Sequence, residues 1–190
     1  MIRRRQSPVA LEAASKNARP VPGVFVSAAM PQLYGAVVPF ALCSCQVTLG
    51  IRVSATGLSC IDFLPQQAPL APSDALAKRV VAQLQTYVSN PAQGFDLPLD
   101  LLGTPFQLRV WEQLRRIPAG HPIRYGELAL RLGSGARAVG NACRRNPIPI
   151  VVPCHRLVSS QGLGGYGGAV AGKQVHFKQA LLEHEARHAG

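Results

Sequence analysis

Asn146-Pro147-Ile148-Pro149-Ile150-Val151-Val152-Pro153-Cys154-His155-Arg156 sets a cysteine, a histidine and an arginine side by side at the end of an apolar run. Ile150-Val151-Val152 has the composition of a buried strand. Pro149 and Pro153 bracket it, and a proline neither donates to a ladder nor continues a helix. The Cys154 thiol is therefore held where regular structure stops. The plain reading is a core cysteine, since free cysteine is among the most buried residue types. The neighbours favour chemistry. A nucleophilic cysteine acts as its thiolate, which a nearby imidazole or cation supplies, and His155 and Arg156 are both at hand. Adjacent side chains on a strand face opposite ways, so Cys154 and His155 would meet only through a turn or a bridging water.

Upstream of this stretch the pattern is helical. Thr104 suits a helix N-cap, Pro105 the first helical position, and Gln107 completes a capping box. Phe106, Val110, Leu114 and Ile117 then recur along one face, and Pro118-Ala119-Gly120 ends the helix. A second helix is expected over 125–132, with Leu128 and Leu132 inward. Gly133-Ser134-Gly135 reads as a turn, with Ser134 as the cap of a third helix running to about Arg145. Two short helices joined by a glycine turn make a helix-turn-helix pattern. The third helix carries Ala136, Ala138, Gly140 and Ala142, small residues that let a helix backbone approach another surface closely.

Further upstream the signals change. Val47 to Val53 reads as a strand, Ala55-Thr56-Gly57 as a turn, and Leu58 to Leu64 as the returning strand. Leu76, Val80, Leu84 and Tyr87 then recur at helical spacing, and Asn90-Pro91 stops that helix. The fold class expected is α+β. Residues 1–22 form a basic tail, 23–95 a small N-terminal α/β domain, and 96–190 a mostly helical C-terminal domain containing the helix-turn-helix.

The 190 residues carry 20 lysines and arginines against 9 acidic residues, a net charge of +11. Nine arginines fall between Arg109 and Arg156 against only Glu112 and Glu127. Such a stretch suits a polyanion such as nucleic acid. The five cysteines (43, 45, 60, 143, 154) are odd in number and irregularly spaced, which argues against a disulfide framework. Cys43, Cys45 and Cys60 lack paired metal-ligand spacing, and no histidine precedes His121, so no metal is expected. No apolar span is long enough to cross a bilayer. Glu12 and Lys16 interrupt what would be the apolar part of a signal peptide after the basic start Met1-Ile2-Arg3-Arg4-Arg5. The expected setting is a reducing cytoplasm, with no membrane partner.

Several of these motifs stand together in a known order. Gly103-Thr104-Pro105-Phe106-Gln107, Val110-Trp111, Tyr125-Gly126-Glu127-Leu128-Ala129 and Ala136-Arg137-Ala138-Val139-Gly140 come first. The 146–156 stretch, Gly162-Leu163-Gly164-Gly165-Tyr166 and Leu181-Leu182-Glu183-His184-Glu185 follow. From about Gly103 to Glu185 the chain resembles the methylated-DNA–protein-cysteine methyltransferases, the O6-alkylguanine-DNA alkyltransferases. The N-terminal half resembles them loosely, through Gly57-Leu58 and Ile61-Asp62-Phe63-Leu64-Pro65, and the resemblance implies a ribonuclease H-like sheet plus helix there.

The resemblance implies a single-use repair protein that moves an alkyl group from O6 of guanine, and also O4 of thymine, in double-stranded DNA to Cys154. It implies His155 as base through a water, and Glu185, with Glu183 nearby in sequence, as the carboxylate that orients the imidazole. Asn146 braces the active-site turn and Tyr125 donates to guanine O6 or N3. Arg137 fills the gap left by an extruded nucleotide. Ala138 and Gly140 contact DNA in the minor groove, with Arg124, Arg144 and Arg145 on phosphates. Tyr166, Gly167, Cys143, Pro149 and Leu157 line the substrate pocket, with Tyr166 packed on the base. No cofactor is required and the protein acts as a monomer. Three positions depart from the family pattern. Gly167 stands where serine is frequent, Cys143 where a larger apolar residue occurs in some members, and residues 169–175 lengthen the link to the last helix. Two other readings are a non-catalytic sensor of alkylated DNA, which the retained Cys154 disfavours, and a cysteine hydrolase, which leaves Arg137 on a small-residue helix unexplained.

Overall fold

The computed structural model describes residues 33–42 and 44–189. The expected tail over 1–22 and Cys43 lie outside the described residues. The order is β1 (Ala36–Leu42), β2 (Cys45–Val53), β3 (Leu58–Leu64), α1 (Ala75–Ser89), α2 (Pro105–Arg115), β4 (Ile123–Arg124), α3 (Tyr125–Arg131), α4 (Ala136–Arg144), β5 (Leu157–Val158) and α5 (Lys173–Arg187). Short 3-10 turns occupy Pro91–Gln93 and Cys154–Arg156. The fold is mixed α and β, with a small antiparallel sheet in the order β1-β2-β3 and a two-stranded parallel pair, β4 with β5.

Alternation positions the sheet. Ala36, Phe40 and Leu42 of β1 and Leu49 and Ile51 of β2 enter the main core. Val37 faces the other way, into a small cluster with Tyr34 and Leu64. The β2–β3 register shifts at Arg52/Val53. This irregularity turns Leu58 onto the same side as Ile61 and Phe63, although a strict period of two would separate them. Helix α1 is capped by the Asp74 side chain on Ala77 N–H at 2.9 Å and buries Ala77, Val80, Leu84 and Tyr87. Leu76 is only half-buried, so Ala77 holds the first core position on this face.

Helix α2 begins as its sequence predicts. Gln107 N–H donates to Thr104 Oγ1, Gln107 Oε1 accepts from Thr104 N–H, and Pro105 opens the helix. Its buried face is Val110, Trp111 and Leu114, with Phe106 half-buried and Ile117 buried just past the helix end. Trp111 Nε1 donates to Ala142 O at 3.0 Å and so fixes α4 against α2. Helix α4 is not capped by Ser134. Its N-cap is Gly135, without a side-chain bond, and the Ser134 amide instead closes the α3 turn on Ala129 O.

The Ile150-Val151-Val152 run is a turn and not a strand. All three residues are buried, yet Ile150 has φ +75°, a left-handed conformation that β-branched residues rarely adopt. The flanking prolines remove the amide donors a ladder would need. The turn closes on itself through Val152 N–H to Ile148 O at 2.9 Å and Cys154 N–H to Val152 O at 2.8 Å.

The apolar side chains of the sheet, α1 and the helices after residue 104 form one continuous buried cluster. Phe177 of α5 meets Phe40 and Phe63 edge-on, with ring centroids 6.3 and 5.0 Å apart. Ile61 N–H of β3 donates to Pro147 O at 2.9 Å, so the sheet also grips the turn that precedes Cys154.

Candidate active site

Cys154 opens a 3-10 turn and lines an open cavity of about 760 Å³ with Tyr125, Arg137, Gly140, Cys143 and Arg144. Tyr166, Gly167 and Gly168 form the loop side of the same cavity. Asn146 fixes the thiol from behind. Its Nδ2 donates to Val152 O at 2.8 Å and to Cys154 Sγ at 3.2 Å, and its Oδ1 accepts from Ile148 N–H at 3.0 Å. One amide thus satisfies both ends of the Ile148–Val152 turn and supplies a donor to sulfur. Burial pushes the Cys154 thiol above its ordinary range, while Asn146 and the Lys178 charge pull the other way. The resting group is a thiol that needs a base.

His155 is fully buried, and its Nε2 lies 2.8 Å from Glu185 Oε1. Burial pushes the imidazole below its usual range, against the pull of Glu185, so the ring is neutral. With Nε2–H donating to the carboxylate, Nδ1 holds the lone pair and has no protein partner. Burial pushes the Glu185 carboxyl up, but His155 and Arg156 outweigh it and hold it well below the ordinary carboxylate range. The 169–175 link delivers Glu185 to this position. Glu183 is exposed and pairs with Gln179 at 2.8 Å.

Glu185 has more partners than its sequence context reveals. Tyr87 Oη donates to Oε1 at 2.6 Å and Gly120 N–H to Oε2 at 3.1 Å. Arg156 approaches through Nε at 3.0 Å and Nη2 at 2.8 Å, and its Nη1 donates to Ile117 O. Arg156 is therefore the counter-charge of Glu185 and not the cation beside the thiol. The cation on the thiol side is Lys178, fully buried on α5. Its position on one helical face with Leu181 and Glu185, at intervals of three and seven, was the available signal.

Tyr125 is half-buried, and its Oη donates to Gly165 O at 3.3 Å across the cavity. Arg137 is exposed at the cavity mouth. Arg144 is exposed as well and borders both this cavity and a groove beside Ala138, Asn141 and Gln107. Ala138 lines that groove and not the thiol cavity. Pro149 and Leu157, expected in the pocket, do not line it. Both are buried, Pro149 within the folded turn and Leu157 in β5. Tyr166 reaches the cavity, but its ring packs against Phe63 and Phe177 and is 5% exposed, so it offers no open face for a base to stack on. Its hydroxyl is buried on the Cys154 side and otherwise unpartnered.

Among the described residues no group of three or more histidine, cysteine or acidic side chains could hold a metal ion. No described helix is long and apolar enough to cross a membrane.

The sequence model of the family described as 6-O-methylguanine DNA methyltransferase, DNA binding domain, matches residues 105–187. The methylated-DNA–protein-cysteine methyltransferase of Mycobacterium tuberculosis is 43% identical over 130 residues, which cover 67% of this chain and 76% of that protein. The constitutive enzyme of that name from Bacillus subtilis is 44% identical over 106 residues, covering 54% and 62%. The crystal structure of the Mycobacterium tuberculosis O6-methylguanine methyltransferase superposes with a TM-score of 0.64 at 36% identity, covering 81% of this chain and 94% of that one. A structure of the Mycobacterium tuberculosis OGT in complex with DNA superposes at 0.61 with 38% identity, covering 76% and 89%. The chain belongs to the methylated-DNA–protein-cysteine methyltransferase family.

Proposed function

We propose that this protein repairs alkylated DNA by moving the alkyl group from guanine O6 to Cys154 Sγ, once per molecule. The observation that carries this reading is the thiol itself. It opens into a cavity on one side, and Asn146 Nδ2 meets its sulfur on the other at 3.2 Å. The His155–Glu185 pair, 2.8 Å apart, stands in the next residue. His155 Nδ1 takes the thiol proton through a bridging water, and Glu185 stabilises the imidazolium that forms. Sulfur attacks the saturated alkyl carbon. The C–O6 bond breaks with its electron pair on guanine, and Tyr125 Oη donates to O6 or N3 as that charge develops. The product is a thioether, and a thioether sulfur is a poor leaving group, so the protein is consumed. O4-alkylthymine is a second substrate of the same chemistry.

A reacting atom inside a duplex is reached only when its base leaves the stack. In this reading α3 and α4 form a helix-turn-helix that lies on DNA through the minor groove. Ala138 and Gly140 allow close approach, and Arg137 fills the stack. Arg124, Arg144 and Arg145 hold phosphates. Minor-groove readout is degenerate, which suits a protein that inspects any guanine. The alkyl-transfer unit is 96–190, and 23–95 is a ribonuclease H-like unit packed behind it. The protein works as a monomer in the cytoplasm without a cofactor.

The test uses duplex DNA carrying a labelled O6-methylguanine. Label appearing on Cys154 up to one equivalent supports the reading. Binding without label favours a non-catalytic sensor, and repeated turnover overturns both.

A further inference from the structure

The end of α5 reads His184-Glu185-Ala186-Arg187-His188. This is H-E-x-x-H on a helix, a spacing that sets two imidazoles one turn apart on one face, where they can share a metal ion. In a metalloprotease the glutamate of this motif is the general base. Here Glu185 turns the other way, into its buried contacts with His155, Arg156 and Tyr87. No hydrolytic site follows, and the two histidines are left facing each other. Their ring centroids lie 4.6 Å apart, with 51° between the planes. His184 is buried, 2% exposed, and His188 is exposed.

The hydrogen bonds fix which nitrogen of each ring is free, because a carbonyl only accepts. His184 Nε2, 3.2 Å from Tyr87 O, carries the proton of the neutral ring and leaves the lone pair on Nδ1. His188 Nδ1, 2.9 Å from His184 O, donates likewise and leaves the lone pair on Nε2. His184 Nδ1 is buried and has no hydrogen-bond partner. Buried polar atoms without a partner are few, and each calls for a reason. A ring that donates one N–H to a carbonyl and keeps its other nitrogen bare is held as metal-binding histidines are held. The setting favours a cation as well. His188 is the C-cap of α5, where the helix dipole presents its negative end.

We propose that His184 Nδ1 and His188 Nε2 together bind one late first-row divalent metal ion, of which Zn²⁺ is the type, at the end of α5. Imidazole nitrogen suits Zn²⁺, Ni²⁺ and Cu²⁺, whereas Mg²⁺ and Ca²⁺ take oxygen ligands. Among the described residues no third histidine, cysteine or acidic side chain joins the pair, so water completes the coordination. The helix brings the two rings together, and unfolding separates them, so the ion stabilises the folded chain. The turn it clamps is the one that carries Glu185. Tyr87 accepts from His184 through its carbonyl and donates to Glu185 through its hydroxyl. Gly120 N–H meets Glu185 Oε2 at 3.1 Å, and a Cβ placed at Gly120 would lie 2.3 Å from that of Ala189. The ion thus fastens the end of α5 against α1 and the Gly120 turn, and takes no part in bond-making at Cys154. The inference goes beyond the alkyl-transfer reading and does not depend on it.

The experiment is calorimetric titration of the full chain with Zn²⁺ after removal of metal by a chelator, followed by urea denaturation with and without the ion. His188→Gln is the comparison, since His188 is exposed and its replacement leaves the core intact. Cysteine thiols also bind Zn²⁺, so each response of the natural protein is read as its difference from His188→Gln. The natural protein should bind one equivalent more than the variant. With Zn²⁺ at ten times the dissociation constant of that equivalent, its folded-to-unfolded ratio should rise by about tenfold more than the variant's. Mg²⁺ should give no difference between the two proteins. His184→Gln should lose the same equivalent, and should it fail to fold, His188→Gln alone decides. Equal Zn²⁺ binding and equal stabilisation in the natural protein and His188→Gln place the ion elsewhere and overturn the inference. A natural protein that binds no Zn²⁺, or one that gains as much from Mg²⁺, overturns it as well.

Discussion

Tyr87 Oη donates a 2.6 Å hydrogen bond to Glu185 Oε1, the oxygen that also meets His155 Nε2. Ninety-eight residues separate the two in sequence. Through this bond α1, which packs on the sheet, braces the carboxylate behind the nucleophile. Both groups are buried, so neither can exchange its partner for water. Tyr87→Phe keeps the ring and deletes the donor. A hydrogen bond to a buried charge is worth about 1.5–3 kcal/mol, and urea denaturation should lose stability in that range. Transfer to Cys154 should slow by less than tenfold, because Arg156 and Gly120 N–H still hold Glu185. An unchanged urea midpoint would show that α1 contributes nothing to holding this carboxylate.

The His155–Glu185 pair should make the fold acid-sensitive in two steps. Glu185 is held below its ordinary 4.5, and burial holds His155 below its ordinary 6.5. Both folded-state values lie below the unfolded ones. As pH falls, the unfolded chain therefore binds each proton first, and stability drops. The full contribution is present above about 6.5, the first loss comes as His155 titrates in the unfolded chain, and the second comes below about 4.5. In Glu185→Gln the second loss should disappear. Its stability at neutral pH should be lower by about 3–5 kcal/mol, since Arg156 is left buried without an anion. Urea midpoints across pH for both proteins test this. A lower loss that persists in Glu185→Gln assigns the acid sensitivity to another group.

The secondary structure was legible where local chemistry and tertiary packing agree. The Thr104–Gln107 capping box and the apolar face of α1 needed no long-range information. The Ile150-Val151-Val152 run misled because its composition reports burial, and both a strand and a compact buried turn bury such residues. The prolines weaken a ladder, and the Asn146 side chain, bonded to Ile148 and Val152, ties the segment into a turn. Tyr87 and Lys178 were hidden for another reason. Each looks like an ordinary member of an amphipathic helix, and its polar atom acquires a purpose only through partners on distant segments. Tyr166 was expected to present its ring to a base. The Phe63 and Phe177 rings that claim it come from β3 and α5, which local reading could not bring together.

Arg137 should affect transfer from duplex DNA and nothing else. It is exposed on α4 at the cavity mouth, and the thiol, His155 and Glu185 are held by other groups. If it stabilises an extruded nucleotide, Arg137→Ala forfeits part of an unstacking cost of a few kcal/mol. A loss of about 2–3 kcal/mol corresponds to roughly 100-fold slower transfer. Iodoacetamide reactivity of Cys154 and the urea midpoint should match the natural protein. Equal slowing on duplex and on free O6-alkylguanine base would place Arg137 in the chemistry and not in base extrusion.

Gly168 and Arg144 should be energetically coupled. Gly168 has φ +91°, and a Cβ placed there would lie 2.6 Å from Arg144 Nε and 3.1 Å from its Cδ. The stem of Arg144, on the last turn of α4, thus rests against the loop that walls the thiol cavity. Gly168→Ala carries two separable costs. The first is the left-handed backbone, about 1–2 kcal/mol for a residue with a Cβ. The second is displacement of Arg144 from the loop. Removing the stem by Arg144→Ala eliminates the second cost and leaves the first. A double-mutant cycle in urea should therefore give a smaller penalty for Gly168→Ala in the Arg144→Ala background, with a coupling of about 0.5–1 kcal/mol. Strict additivity of the two substitutions would mean that Arg144 swings off the loop at no cost, leaving the backbone alone to explain why glycine stands at 168.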